Sequence, residues 1–409
     1  MRHIPNAAGL LLVAFFAALP LVYSGANYDY VMHVLITGFF YAILASSWSM
    51  LAGYAGQFSF GHMAFMGIGA YGTALFCHYF YITELPTGLC TEYPFFGNWL
   101  VIKNAIGVTS TTLTQDCLQQ AMADWGGSVQ VWRMPVLLGI LLGTLAGGVA
   151  GLLVGLLVLR LRAAYLALFT LGFAEIVKAV ISAEIEVTRG QAGMVLPPLF
   201  DDGLVILGTE FSRIDKIPPY YAMFGLLLLC LLLLTWLARS RFGLFVRALR
   251  EDADAAAALG VNTTRYKVIV FTITTMMAAA AGAVQAHYVQ IVTPNMLFLL
   301  QMSLVVAMAV IGGVENFVAA ALGAIFLQVM LEVLRTSFSI GGITVDMTIW
   351  RLVFFGLLLM IVLRFFRNGL IAPLIDHFHR TGMAQETIAK RQQASKDAGS
   401  TPAGRKAAS

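Results

Sequence analysis

The sequence predicts an all-α polytopic membrane protein of about ten transmembrane helices with both termini on the inner side. Three observations predict it. The chain is 59% hydrophobic and 11% charged, with a mean hydropathy of +0.82, a balance foreign to soluble domains of this length. Several runs reach the roughly 20 apolar residues that cross a bilayer. Basic residues cluster at one set of turns and acidic residues dominate most of the others, which is the positive-inside pattern. The mild net charge of +4 says little about nucleic acid, because the basic residues cluster beside the spans; membrane lipid is the expected neighbour and no nucleic-acid partner is expected.

The first apolar run, Ala7 to Tyr23, follows a thin basic start at Arg2 and His3. It reads as a first span or as a signal peptide with Val22-Tyr23-Ser24 as the cleavage site. Tyr30 to Leu51 is the second span. The stretch Ala52 to Gly72 then interrupts the apolar pattern with Gly53, Gly56, Gln57, Ser59 and Gly61 before an apolar run ending near Tyr81. Non-helical backbone at membrane depth survives only inside protein or along a wet cavity, so a broken segment here would touch a solute path. The alternative is a short loop and an ordinary helix whose glycines permit close packing.

Residues 82–132 form a long polar insert with Glu84, Glu92, Asp116 and Asp124. Cys90 and Cys117 lie in it, whereas Cys77 and Cys230 fall within spans. An acidic loop suits the outer, oxidising side, where these two cysteines form a disulfide or remain free thiols. Leu137 to Leu159 carries Gly139, Gly143, Gly147, Gly151 and Gly155. Glycines at intervals of four make one groove down a helix, a packing signal and not a chemical one. Arg160 and Arg162 mark the inner turn after it.

The span Ala163 to Ser182 contains Glu175 and Lys178 one turn apart. Ionisable groups in a span are functional candidates by default; these two also fit a mutually neutralising pair near the outer end. An acidic outer loop to Pro219 follows, with Glu184, Glu186, Asp201, Asp202, Glu210 and Asp215. Tyr220 to Ala238 leads inward and Val268 to Val292, which includes His287, leads out. Phe298 to Ile311 returns to an inside turn at Gly312-Gly-Val-Glu-Asn-Phe317, and Val318 to Leu334 and Met347 to Phe366 complete the set. Residues 1–366 thus form the transmembrane domain. Residues 367–409 form a basic tail whose polar composition predicts partial disorder. Gly53-Tyr-Ala-Gly56 and Gly312-Gly-Val-Glu-Asn are each followed by a small-residue helix, and paired glycine breaks in two halves can mark a transport site.

Residues 239–267 are the most informative loop. Its centre, about Phe245 to Leu259, is rich in the helix formers Ala, Leu and Arg. Phe245, Leu249, Ala256 and Leu259 recur at helical spacing, while Arg250, Glu251 and Asp254 lie mostly off that line. Gly260 stands where a helix C-terminus wants positive φ. One amphipathic helix on the inner membrane surface is expected, flanked by Arg239, Arg241, Arg247, Arg265 and Lys267. It either engages a partner or only anchors the loop.

No phosphate-binding Gly-x4-Gly-Lys-Ser/Thr loop and no His-Glu-x-x-His occurs, so the chain carries neither ATP by that route nor a zinc-protease site. Ser59 and His62 lack a third triad member. His377 and His379 sit in a solvated basic tail and make poor metal ligands. No catalytic residue, metal or cofactor is expected.

Three stretches resemble the permease subunits of branched-chain amino acid ABC importers: Leu51 to Tyr71, Ala164 to Ile176, and Arg247 to Lys267. Val310-Ile-Gly-Gly-Val-Glu-Asn316 is similar to that family's inside turn. The 82–132 insert and the tail are additions to the pattern. The resemblance implies an ABC-importer permease fold in a bacterial inner membrane. It implies a second related permease, two cytoplasmic ATPase subunits and a periplasmic binding protein as partners. It makes the inside helix a coupling helix, with Phe245, Leu249, Asp252, Ala256, Leu259 and Gly260 contacting an ATPase. Gln57, Ser59, Phe60 and His62, with Glu175 as a lesser candidate, would line the path. Urea, short amides or another small solute remain alternatives to branched-chain amino acids. A secondary transporter or channel independent of ATP is a different class; it would have to work through intramembrane charges such as Glu175 and Lys178.

Overall fold

Each of the ten apolar runs forms a helix. The computed structural model describes residues 7–23, 27–88, 90–95, 97–103, 117–124, 130–158, 163–201, 203–206, 209–335, 338–340, 343–345, 347–366 and 369–373. The expectations about Arg2 and His3, Ser24, Asp116, Arg160 and Arg162, Asp202, and the tail beyond 373, His377 and His379 included, lie outside the described residues. In chain order the helices are α1 (Ala7–Val22), α2 (Tyr28–Ser49, continued by a π-helical turn Met50–Tyr54), α3 (His62–Tyr79), α4 (Cys117–Asp124), α5 (Val136–Val158), α6 (Ala163–Ala183) and α7 (Ile185–Thr188). They continue as α8 (Ile217–Arg239), α9 (Arg241–Glu251), α10 (Ala253–Ala258), α11 (Thr263–Val289), α12 (Leu299–Gly312), α13 (Phe317–Val333) and α14 (Met347–Phe365).

Among the described residues, 5 helices are long and apolar enough to cross a membrane alone, or 6 if the bent pair α12–α13 counts as one span. The sequence reads α12 and α13 as two full spans; the structure makes them shorter. They run 14 and 17 residues, about 21 and 26 Å at 1.5 Å per residue, against a hydrocarbon core of about 30 Å. They meet at 117°. Hydropathy registers apolarity and not direction, so the two halves of a bent hairpin read as spans.

The core is built around α2 and α11. Trp48, Phe39, Met32, Ile36, Ile43 and Leu44 of α2 are fully buried, and α2 packs on α8, α11, α12 and α13. Helix α11 lies against α3 and α5. Here the glycine groove of α5 is used. Gly143 faces the backbone of Gly69 and Thr73, Gly147 the methyl of Ala279, and Gly151 the side chain of Thr275. By contrast α5, α6 and α8 keep large apolar side chains exposed on their outer faces, among them Leu137, Leu157, Leu168, Leu232 and Trp236. A helix that is apolar on its exposed side faces lipid or another subunit, not water.

The opposite end from the 239–267 loop holds the insert, which the sequence presents only as a polar loop. Strands β1 (Phe80–Thr83), β2 (Thr91–Phe95), β3 (Asn98–Ile102) and β4 (Val131–Arg133) form an antiparallel sheet in the order β2-β3-β1-β4. Glu92 accepts from the backbone N–H groups of Thr87 and Gly88 at 2.7 and 3.0 Å, closing the turn before β2. Cys90 and Cys117 are bonded in the structure, with Cα atoms 5.5 Å apart, and tie the sheet to α4. Beyond the sheet, β5 (Met194–Val195) pairs with a two-residue strand, Ile291–Val292, that follows α11.

His287 is buried near that end of α11. One ring nitrogen lies 2.8 Å from the Thr73 hydroxyl and the other 2.9 Å from the Pro197 carbonyl, so its role is structural. Glu175 and Lys178 pair with each other at 2.5 Å. Lys178 also lies over the Phe298 ring at 4.8 Å. The neutralising reading of this pair is the one the geometry realises.

Candidate functional site: where two backbone breaks meet a surface helix

The 239–267 loop folds as two helices instead of the single one expected. Helix α9 ends at Glu251, and Asp252 takes an extended conformation to cap α10, its carboxylate accepting from Asp254 and Ala255 N–H at 3.0 Å each. A short acid that can bond the backbone ahead of it competes with helix continuation and wins here. At the far end Gly260 has φ +86°. Its N–H donates to Ala257 O at 2.9 Å and that of Val261 to Ala256 O at 3.1 Å, the paired bonds of a Schellman cap. Asn262 then caps α11 by accepting from Arg265 N–H.

The loop lies flat on the bundle. Phe242 and Phe245 pack on the Tyr266 ring at 5.3 and 5.2 Å. Leu249 and Ala256, expected to face a partner, are buried against this chain's own helices, and that expectation is corrected. Their apolar face is what holds the loop down. Leu244 and Leu259 are exposed instead, Leu259 by 85%, and Asp252 and Gly260 are exposed beside them.

Beneath this loop the two glycine-marked breaks touch. Helix α2 widens into the π turn at Met50–Tyr54, and the chain then runs irregularly to α3. Single π turns mark functional sites in many helices. Gly53 lies against the carbonyl of Val314, in the turn between α12 and α13, closely enough that no side chain fits. The Ser49 hydroxyl donates to that same carbonyl at 2.7 Å. Asn316 caps α13, accepting from Val318 and Ala319 N–H.

Two arginines of α9 bind the breaks from above. Arg247 donates to the Tyr54 hydroxyl at 3.1 Å and lies over its ring at 4.7 Å. Tyr54 in turn packs on Phe317 at 5.7 Å. Arg250, one turn on, donates through one guanidinium nitrogen to the Gly53 carbonyl and through the other to the Glu315 carboxylate. Gly56, at φ +65°, lies 3.3 Å from the Arg250 side chain as measured from an ideal Cβ. These residues border a cavity of about 980 Å³ lined by Gly53, Tyr54, Phe58, Arg239, Glu315 and Phe317, among others.

Gln57, Ser59, Phe60 and His62 do not line that cavity. Ser59 is buried; its carbonyl accepts from the Trp48 indole at 2.8 Å and its hydroxyl from Gly61 N–H at 3.2 Å. The Phe60 N–H donates to the Thr170 hydroxyl at 3.0 Å. Gln57 is 4% and His62 0% exposed, and neither side chain has a hydrogen-bond partner. Burying an amide and an imidazole unpaired costs stability. Sequence reading missed Arg250, Tyr54 and Glu315. One signal was available: Glu315 is an acid at a turn on the side where basic residues otherwise gather.

Exposed apolar helices, a bundle with broken segments and a surface helix held over them are the features of a multi-pass membrane protein. A family model described as the branched-chain amino acid transport system permease component matches residues 30–363, and the chain belongs to that family. It is 29% identical over 364 residues to the high-affinity branched-chain amino acid transport system permease protein LivM of Salmonella typhimurium, covering 84% of this chain and 72% of that protein. It is 33% identical to LivH of the same organism over 36% of this chain and 47% of LivH. It is 29% identical to the autoinducer 2 import system permease protein LsrC of Photorhabdus luminescens, over 31% of this chain and 43% of LsrC. No solved structure matches. A permease component is a transport protein and not an enzyme.

Proposed function

We propose that this chain is the transmembrane permease subunit of an ATP-driven importer in a bacterial inner membrane, carrying branched-chain or related amino acids. The observation that carries the reading is the junction itself. Two breaks in the helical backbone border one cavity, and a surface helix grips both. Irregular backbone in a membrane protein survives inside protein or along a wet cavity, these breaks border such a cavity, and a helix that grips them from outside is a handle for a partner. The partners are a second, related permease, two cytoplasmic ATPase subunits and a periplasmic binding protein. Residues 1–366 are the membrane domain, with 82–132 on the periplasmic side and 367–409 as a cytoplasmic tail.

In this reading an ATPase holds the exposed side of α9–α10, at Leu244, Asp252, Leu259 and Gly260, with Phe245 at its edge. ATP binding closes the ATPase pair and displaces the two helices. The breaks follow, and the path exchanges an inward for an outward opening. The loaded binding protein favours the outward form by binding it more tightly. Gln57 and His62 form a polar lining that is shut in the present form. The autoinducer 2 relative supports a second reading, in which another small solute takes the place of an amino acid.

The test is the ATPase activity of the assembled complex. Gly260→Pro removes the N–H that bonds Ala257 O and forces φ near −65° where +86° is needed. Stimulation of ATP hydrolysis by loaded binding protein is expected to disappear while the subunits still co-purify. Full stimulation in the variant would contradict the assignment of the handle. For the path, Gln57→Leu keeps the volume and removes an unpaired amide, so stability should hold or rise while uptake falls about tenfold, equivalent to about 1.4 kcal/mol. Unchanged uptake at equal expression takes Gln57 off the path.

A further inference from the structure

We propose that Arg250 is the residue that transmits motion of the surface helix to both breaks at once. The proposal rests on the importer reading above and adds the part of this chain that carries the force. Its basis is geometric. One guanidinium spans the Gly53 carbonyl of the first break and the Glu315 carboxylate of the second. The two acceptors belong to segments 197 and 65 residues away in the chain. Ser49 and Gly53 already press on Val314 beside Glu315, so the two breaks form one contact with Arg250 closing it. Gly56 completes the seat: its left-handed conformation and missing side chain let the arginine stem lie flat on the chain.

The arginine is specifically suited to this. Its planar fork holds two acceptors in fixed directions, whereas a lysine ammonium is a single point charge on a flexible stem. The ion pair does not serve mainly for stability. Glu315 is 74% exposed, and pairs so exposed contribute little and are screened by salt. What the fork provides is direction: displacing α9 pulls two backbone segments together or lets them part. Arg247, one turn earlier on the same helix face, holds Tyr54 and keeps α9 in register over the first break. The clasp also walls the 980 Å³ cavity, so its release would widen that cavity toward the loop.

The proposal is tested in the full complex in proteoliposomes, with ATP hydrolysis and amino acid uptake measured on the same vesicles. Wild-type complex is the reference; if it shows neither ATP-dependent uptake nor stimulation of its ATP hydrolysis by binding protein with any bound solute, the importer reading fails and the clasp fails with it. Otherwise, Arg250→Lys and Glu315→Gln decide the clasp. Arg250→Lys keeps the charge and loses the fork. It is expected to retain hydrolysis within twofold and to lower the uptake per ATP at least fivefold. Glu315→Gln is expected to lower the same ratio less, because the Gly53 bond persists. The double variant is expected to be no worse than Arg250→Lys alone, the non-additivity of groups that act as one unit. An arginine that merely anchors the loop would lower uptake and hydrolysis in parallel, through lost assembly. That outcome, or an unchanged uptake per ATP in Arg250→Lys, would overturn the proposal.

Discussion

Gly53→Val is expected to lower the melting temperature and the yield of folded protein, at a cost of about 3 kcal/mol. A Cβ at residue 53 would fall on the Val314 carbonyl oxygen, 2.8 Å from its carbonyl carbon and 3.3 Å from Glu315 Cα. These are backbone atoms, and neither side can yield by a rotamer change. The Val314 carbonyl is further held by the Ser49 hydroxyl, and the turn by the Asn316 cap. Parting the breaks therefore breaks several bonds together. Overpacking a well-filled core costs about 1–3 kcal/mol, occasionally more; valine at this crossing belongs at the upper end. Against a net stability of about 5–15 kcal/mol that is a large share. The measurement is the monodisperse yield and Tm of detergent-solubilised protein. Gly225→Ala in α8 is the control, because nothing lies within 4 Å of that glycine. A Gly53→Val protein as stable as the control would show that the breaks do not touch.

The second large effect is expected in α5, where two neighbouring glycines should behave differently. Gly143 faces the Gly69 carbonyl and the Thr73 N–H of α3, the latter 2.9 Å from an ideal Cβ. The atoms nearest to Gly148 are those of the flexible Met276 side chain, at 3.5 Å. Gly143→Ala must push α3 and α5 apart along a groove continued by Gly147 and Gly151, at a cost of about 2–3 kcal/mol. Gly148→Ala meets ordinary van der Waals contact and gains the helix preference of alanine. A thermal melt of the two variants should show a clear loss for the first and none for the second. Equal behaviour would mean that the groove is general helix composition and not a packing face.

Much of this was legible in the sequence because it is local. The interval of four in Gly139 to Gly155 states a close-packed face whatever packs on it. Gly260 announces a helix end because only a residue free at positive φ makes that cap. Apolar run length places the helices. What the sequence concealed depends on partners far along the chain or on direction. Arg250 reads as one of several basic residues until Gly53 and Glu315 are brought beside it. Leu249 and Ala256 read as a face for a partner because a helical stripe says that something covers it, not what. Asp252 sits in an alanine-rich run whose propensity favours one helix, yet its side chain caps a new one. The strands of the 82–132 insert are only three to five residues long, too short for a clear alternation, and their pairing is set by contacts across the sheet.

In the proposed importer, ATP hydrolysed by partner subunits drives a solute through this chain, with α9 as the handle. This is tested most directly by uptake of labelled leucine into proteoliposomes holding the complete complex, with loaded binding protein outside and ATP inside. Accumulation is expected that requires ATP and the binding protein and is lost in Gly260→Pro. Uptake that proceeds without ATP, driven by an ion gradient and untouched by Gly260→Pro, would contradict it.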